Sequence, residues 1–250
     1  MQVVKANWPE LENSTGNQVT AFTTTRLFGV SKGPFQSLNT GLHVNDDPQA
    51  VLSNRRSLLA YCGLQDAQWL DQVHGTLCIK SARDHQVVSA DACWTNETEL
   101  ACIIMTADCL PVAFRERDRI AVAHAGWRGL LSGVLQNTLQ NFNAQETDIW
   151  LGPAIGPNAF EVGAEVREQF LDKNQQYCTA FIAGDRSGKW LANIYQLARL
   201  TLIMKGVNPA RIYSGNYCTF TDEKQFYSYR RQALTGRMAT VIYRTAGADS

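Results

Sequence analysis

"LACIIMTADCLPVAFRERDRIAVAHAGWRG", residues 100–129, decides the fold class. Three apolar runs (100–109, 110–116 and 119–126) follow one another with no helical stretch between them. They are rich in Ile, Val and Ala and of strand length, so they predict three successive strands. From Trp127 to Phe142 the spacing turns helical, with Leu130, Leu131, Val134, Leu135 and Leu139 on one side. Before this block, 19–25 (VTAFTTT) is β-rich. Residues 48–63 read as a helix, with Asp46 or Asp47 as N-cap, Pro48 at its first position and Gly63 as its stop. "WLDQVHG" and "TLCIK" (69–80) predict two short strands meeting at a turn near Gly75. After it, 148–157 (DIWLGPAIGP) is a strand running into a Gly/Pro loop. Helices are predicted over 164–171 and 189–205, the second stopped by Gly206, and strands over 211–215 and 238–244. Strands cluster between helices and do not alternate with them. The fold class expected is therefore α+β, with mixed β-sheets flanked by helices, rather than a doubly wound sheet. No repeat, low-complexity tract or linker divides residues 1–250, so one domain is expected.

The composition excludes several classes. With 45% hydrophobic and 18% charged residues the chain is neither disordered nor fibrous. Lys+Arg 23 against Asp+Glu 23 lacks the basic excess of a general nucleic-acid binder. "MQVVKANWPELENSTGNQ" has neither the basic start nor the apolar core of a signal peptide. No window approaches the roughly 18 apolar residues of a membrane span. Seven cysteines, an odd number with no CxxC pair, suit reduced thiols. A cytoplasmic protein is expected, a monomer or homodimer acting on a small molecule, with neither nucleic acid nor membrane as partner.

Four histidines are present: His43, His74, His85 and His124. His74 and His124 end apolar strand-like runs and precede glycine-containing turns, and Cys109 stands in the same setting before Pro111. Three strand ends could bring these side chains to one rim of a sheet. Two imidazoles and a thiolate suit zinc, and three protein ligands leave a fourth position open, as catalytic zinc requires. The same residues have other readings. The two histidines can be satisfied semi-buried side chains and Cys109 a small core hydrophobe, since the spacing matches no compact zinc motif. Alternatively Cys109 is a nucleophile with His74 or His124 as its base, and Asp108 orients the imidazole or merely caps a turn. Copper also suits the donor set, with Met105 as a weak axial ligand, but four histidines are too few for a multicopper oxidase.

Arg128 falls where a helix begins, between Gly126 and Gly129, and a guanidinium beside free N–H groups suits phosphate or carboxylate. "SLNTGLHVNDDP" (37–48) gathers Asn39, Gly41, His43, Asp46 and Asp47 as a polar binding loop or as turn and cap chemistry. "FYSYRR" (226–231) reads as a strand, with Tyr227, Tyr229 and Arg231 on one face and Phe226, Ser228 and Arg230 on the other. One face could line a pocket where a flat ring stacks. Cys218 is taken as structural, His85 as a surface residue, and Trp8, Trp69, Trp94 and Trp150 as packing.

Taken together, "DQVHG", "TADCLPV", "AVAHAGWRG", "GPAIGP" and "FYSYRR" resemble the YfiH family, also called the laccase-domain or polyphenol oxidase family, from about Val19 to the C-terminus. The resemblance implies an α/β/β/α arrangement related to the catalytic domain of the cytotoxic necrotizing factors, which are Cys–His hydrolases. It places the family's metal pattern on His74, Cys109 and His124, with zinc as the ion. Members are described as purine nucleoside phosphorylases acting on adenosine, inosine, guanosine and methylthioadenosine. Adenosine deamination, copper-dependent phenol oxidation and the editing of peptidoglycan precursors carrying serine for alanine are also described. On that basis the substrates expected are a purine nucleoside and phosphate. Arg128, with Arg55 and Arg230, is the candidate phosphate holder. Tyr229 or Phe226 would stack on the purine, Asn39 is a candidate substrate contact, and Asp108 a candidate proton shuttle beside the metal. Amide hydrolysis through Cys109 or the metal is the runner-up.

Overall fold

Strand pairing in the central block follows the sequence: Arg119 lies opposite Glu116 and Ala125 opposite Leu110, an antiparallel hairpin turning at Arg117 and Asp118. In the computed structural model, which describes residues 1–9 and 18–246, the strands in chain order are β1 (Val3–Lys5), β2 (Gln18–Thr24), β3 (Asp66–Gln68), β4 (Leu70–Asp71), β5 (Cys78–Lys80), β6 (Val88–Ser89), β7 (Ala92–Thr95) and β8 (Leu100–Thr106). They continue with β9 (Leu110–Glu116), β10 (Arg119–Ala125), β11 (Asp148–Leu151), β12 (Glu161–Gly163), β13 (Phe181–Ala183), β14 (Lys189–Ala192), β15 (Ile212–Ser214) and β16 (Met238–Thr245). The helices are α1 (Pro48–Cys62), α2 (Trp127–Ser132), α3 (Val134–Leu139), α4 (Ala164–Lys173) and α5 (Ile194–Met204).

Two sheets dominate, ordered β1-β2-β16-β8-β3 and β15-β11-β9-β10-β7-β5. Both are mixed: β3 pairs with β8, β11 with β15 and β5 with β7 in parallel, and their other pairs are antiparallel. Side-chain alternation sorts each strand between two cores. Cys102 and Ile104 of β8 meet Ala113, Val122 and Trp150 of the other sheet. Their neighbours Ala101 and Ile103 pack with Leu58 and Cys62 of α1. On the far side Val112, Ala121 and Ala123 face Val134, Leu135 and Leu197 of α3 and α5. The layers are helix, sheet, sheet, helix, and the expected α+β class with its α/β/β/α layering is borne out. Central strands covered on both faces read as continuous apolar runs. Among the described residues no helix is long and apolar enough to cross a membrane.

Helix α1 begins and ends as its sequence predicts: Asp47 caps it by accepting the Gln49 N–H at 3.0 Å, and Gly63 closes it at φ 69°. Four expectations are corrected. The helix over 127–142 breaks at Gly133, whose φ of 114° no helix continues. The helix over 189–205 starts only after Asn193, whose side chain accepts the Gln196 N–H, and residues 189–192 are strand β14. "WLDQVHG" yields only the two-residue β4 and then a loop. "FYSYRR" is no strand: Phe226, Tyr227 and Ser228 are consecutively buried and Tyr229 and Arg230 turn out to solvent, so the alternation fails.

Candidate active site

Three neighbouring chain segments deliver the His, Cys and His side chains. Cys109 occupies the turn between β8 and β9, just after Asp108 at φ 90°. His124 sits near the end of β10, opposite Pro111, so the hairpin register carries it alongside that turn. His74 lies in the loop after β4 with φ 59°, a left-handed conformation unusual for histidine. One ligand atom from each lies within 4.8 Å of the others. Cys109 Sγ is 3.9 Å from His74 Nε2, and the two imidazoles meet edge to face at 4.7 Å. In a tetrahedral zinc site the S···N separation is about 3.6 Å, so a small contraction would bring these atoms to three corners of a tetrahedron. Gly126 keeps the space between them clear: a Cβ there would stand 3.0 Å from both Cys109 Sγ and His74 Cδ2. The residues fit a metal ion, and the soft N₂S set is right for one.

The electrostatics match. Burial pushes the Cys109 thiol up, but the His124 charge and hydrogen bonds from both imidazoles override it and hold its pKa at about 6. For His124 burial acts downward, while the Cys109 thiolate and the Asp91 hydrogen bond raise it to about 9. Without a metal the pair is a thiolate–imidazolium couple at neutral pH. Asp91 is one of two site residues missed in the sequence. Fully buried, it accepts the His124 Nδ1–H at 2.8 Å and the backbone N–H groups of Val73, His74 and Gly75 at 3.2, 3.0 and 2.6 Å. Its signal was faint: a lone acid heading the apolar strand β7.

The cluster opens into a cavity of about 550 Å³, whose wall includes His43, Phe160, Arg128, Tyr229, Arg230 and Arg237. That volume is in the range of small-molecule sites. Burial, then the charges of Arg237 and Arg55, lower the pKa of His43, so this imidazole faces the cavity neutral. It lies outside the ligand cluster. Arg128 is on the wall, its guanidinium 4.4 Å over Trp127. Tyr229, 57% exposed, forms the rim, and Arg230 lies beside it, donating to the Glu161 carbonyl at 2.9 Å.

Four sequence readings are corrected by placement. Asn39 does not face the cavity. It is fully buried, donating to Asp46 and accepting the N–H groups of Gly41 and Arg237, both at 2.9 Å. Arg55 is also outside the wall, donating to the Thr40 carbonyl at 2.8 Å with its guanidinium 3.8 Å over Trp69. Asp108 orients no imidazole. Its carboxylate accepts the Thr219 and Ser228 hydroxyls at 2.7 and 3.0 Å and the Arg230 N–H at 2.7 Å, which ties the 219–230 segment to the cavity floor. Phe226 is buried in the core between the sheets, out of reach of a stacking ring. Met105 lies on the cavity wall, its Sδ accepting from the Arg55 guanidinium at 3.5 Å. Arg237, missed in the sequence, is the half-buried cation of the cavity, held from behind by the loop at Asn39 and Thr40.

A family model described as multi-copper polyphenol oxidoreductase laccase matches residues 20–245. A purine nucleoside phosphorylase from Pseudomonas aeruginosa is 47% identical over 230 residues, spanning 90% of this chain and 93% of the relative. The Escherichia coli purine nucleoside phosphorylase YfiH is 44% identical over 248 residues, with 97% and 98% covered. The crystal structure of the Neisseria meningitidis protein NMB0706 superposes with a TM-score of 0.91 at 43% identity, covering 98% of this chain and all of that one. The matched region takes in His74, Cys109 and His124 together, and the chain belongs to this laccase-domain, or YfiH, family.

Proposed function

We propose that the protein is a purine nucleoside phosphorylase working in the cavity beside Cys109, with zinc held by His74, Cys109 and His124 and adenosine deamination as a second activity of the same pocket. The observation that carries the reading is the union, in one cavity of about 550 Å³, of a metal-competent N₂S cluster, three arginines and an aromatic rim. Relatives bearing the phosphorylase name support it. In phosphorolysis a phosphate oxygen bonds to C1′ of the nucleoside as the C1′–N9 bond breaks. The electron pair leaves with the purine, which then takes a proton on its ring. Arg128, Arg230 and Arg237 are the phosphate candidates, since guanidinium forks match phosphate oxygens. Tyr229 at the rim would cover the purine, and His43, its pKa lowered by burial, would hold or pass a proton from the wall. Zinc, when bound, supplies a Lewis acid with an open coordination position.

The test is chromatography of inosine and adenosine after incubation with the protein, with and without phosphate. The expected products are free base and ribose 1-phosphate, formed only with phosphate and lost in Cys109→Ala. Inosine appearing from adenosine marks deamination. Absence of turnover with either nucleoside overturns the reading. A second reading, amide hydrolysis of serine-containing wall precursors, is favoured by one observation: Cys109, His124 and Asp91 form a thiolate–imidazole–carboxylate series. It predicts precursor cleavage that survives metal chelation.

A further inference from the structure

Asp91 does more than satisfy a loop. We propose that it is the positioning residue for both histidines, one carboxylate fixing the tautomer of His124 and the place of His74. It rests on the proposed function only where activity is read. Strand register brings it there: Ala92 pairs with Ala123, and the His124 N–H donates to the Asp91 carbonyl at 2.7 Å, so the two side chains leave adjacent strands at one level. Oδ1 accepts the His124 Nδ1–H at 2.8 Å and the His74 N–H at 3.0 Å. Oδ2 accepts the N–H groups of Gly75 at 2.6 Å and Val73 at 3.2 Å. An ionised carboxylate offers about four acceptor directions, and all are in use. With the proton fixed on Nδ1, the Nε2 lone pair of His124 is left for a metal or for the thiol, the arrangement by which outer carboxylates tune imidazole ligands. His74 depends on the same group differently. Its segment belongs to no strand and its φ is 59°, so three consecutive N–H groups converging on one carboxylate define where its ring stands.

Asp91→Asn separates these roles. The carboxamide oxygen facing Val73 and Gly75 keeps two loop contacts. The NH₂ group then faces His124 and donates to Nδ1, which moves the imidazole proton to Nε2 and blocks the ligand position. The opposite orientation sets the NH₂ against two backbone donors and is the poorer one. With four histidines in the chain, the tautomer is readable from long-range ¹H–¹⁵N spectra of the metal-free variant at alkaline pH, where imidazoles are neutral. The expected result is a folded Asp91→Asn protein with His124 protonated on Nε2. Its zinc affinity, from competition with a chromophoric chelator, falls ten- to a hundredfold. Inosine phosphorolysis loses kcat with KM within about twofold. His124 still protonated on Nδ1, or zinc affinity equal to wild type, overturns the proposal. If the variant does not fold, the metal-free wild type at alkaline pH decides: a proton on His124 Nδ1, the minor tautomer of a free imidazole, supports the assignment, and a proton on Nε2 overturns it. A tautomer shift and lost zinc affinity with no nucleoside turnover by either protein would uphold Asp91 and remove the phosphorylase reading instead.

Discussion

A thiol with a pKa of about 6 is mostly thiolate at pH 7, and the thiolate is the form that reacts. In the metal-depleted protein, iodoacetamide should therefore modify Cys109 with a rate that is half-maximal near pH 6 and flat above pH 7. The sign follows from the direction of the shift: a lowered pKa extends reactivity downward in pH, and only acid below about 6 removes it. Cys62 and Cys78, pushed up to about 12 by burial, should stay unmodified at neutral pH. Mass spectrometry of the labelled protein across pH, with and without zinc, measures this, and bound zinc should suppress the Cys109 label. Cys109, His74 and His124 were legible in the sequence because residue type and flanking glycines mark them. Asp91 was not, because its partners are backbone N–H groups and a ring from two remote segments, and a buried acid has no periodicity of its own. Asn39 misled for a related reason: an amide in a polar loop has the same appearance whether it faces a ligand or, as here, holds the backbone of Arg237.

Among the elements, the segment 219–231 shows how a loop is shaped by one side chain. Asp108 collects the Thr219 and Ser228 hydroxyls and the Arg230 N–H, and this sets Tyr229 and Arg230 at the mouth of the cavity. Replacing it by alanine leaves these buried donors without an acceptor, at a cost of about 1–3 kcal/mol for each that finds no other partner. Asp108→Ala should melt several degrees lower and raise KM for inosine severalfold, with zinc content unchanged. Steady-state kinetics and metal analysis check it. A fall in kcat for adenosine deamination at constant KM would instead make Asp108 the proton shuttle. Element boundaries were legible where a cap or a stop names them, as at Asp47 and Gly63 of α1. They were lost where one residue overrides a period. Gly133 cuts a helix whose apolar spacing continues through it, and the alternation of "FYSYRR" is overruled by the anchor at Asp108, a contact between residues over a hundred positions apart.

The whole molecule places its chemistry at the ends of strands and its apolar packing in three layers, one between the sheets and one between each sheet and its helices. Unbroken apolar runs at 100–126 made a strand-rich class legible, but the order β1-β2-β16-β8-β3 was not, since it joins strands from opposite ends of the chain and depends on long-range packing. Ile104 is fully buried between the sheets in the same strand that leads to the Cys109 turn, and it shares its core with Val122 of the strand that carries His124. Ile104→Ala removes side-chain volume at the centre of this layer, and such truncations cost about 2–5 kcal/mol. In a chain of this size about 1 kcal/mol corresponds to about 2–4 °C, so Tm should fall by roughly 5–15 °C. The two histidines of the cluster are tied by hydrogen bonds to Asp91, and Cys109 and His124 are brought together by the backbone register of the hairpin, contacts that are polar and do not depend on the volume of the isoleucine. Zinc affinity of Ile104→Ala measured at 20 °C should therefore equal that of the wild type. Equal affinity with a lowered Tm would show that the site is set locally at the strand ends, whereas a parallel loss of affinity would show that the inter-sheet core itself holds the three ligands in place.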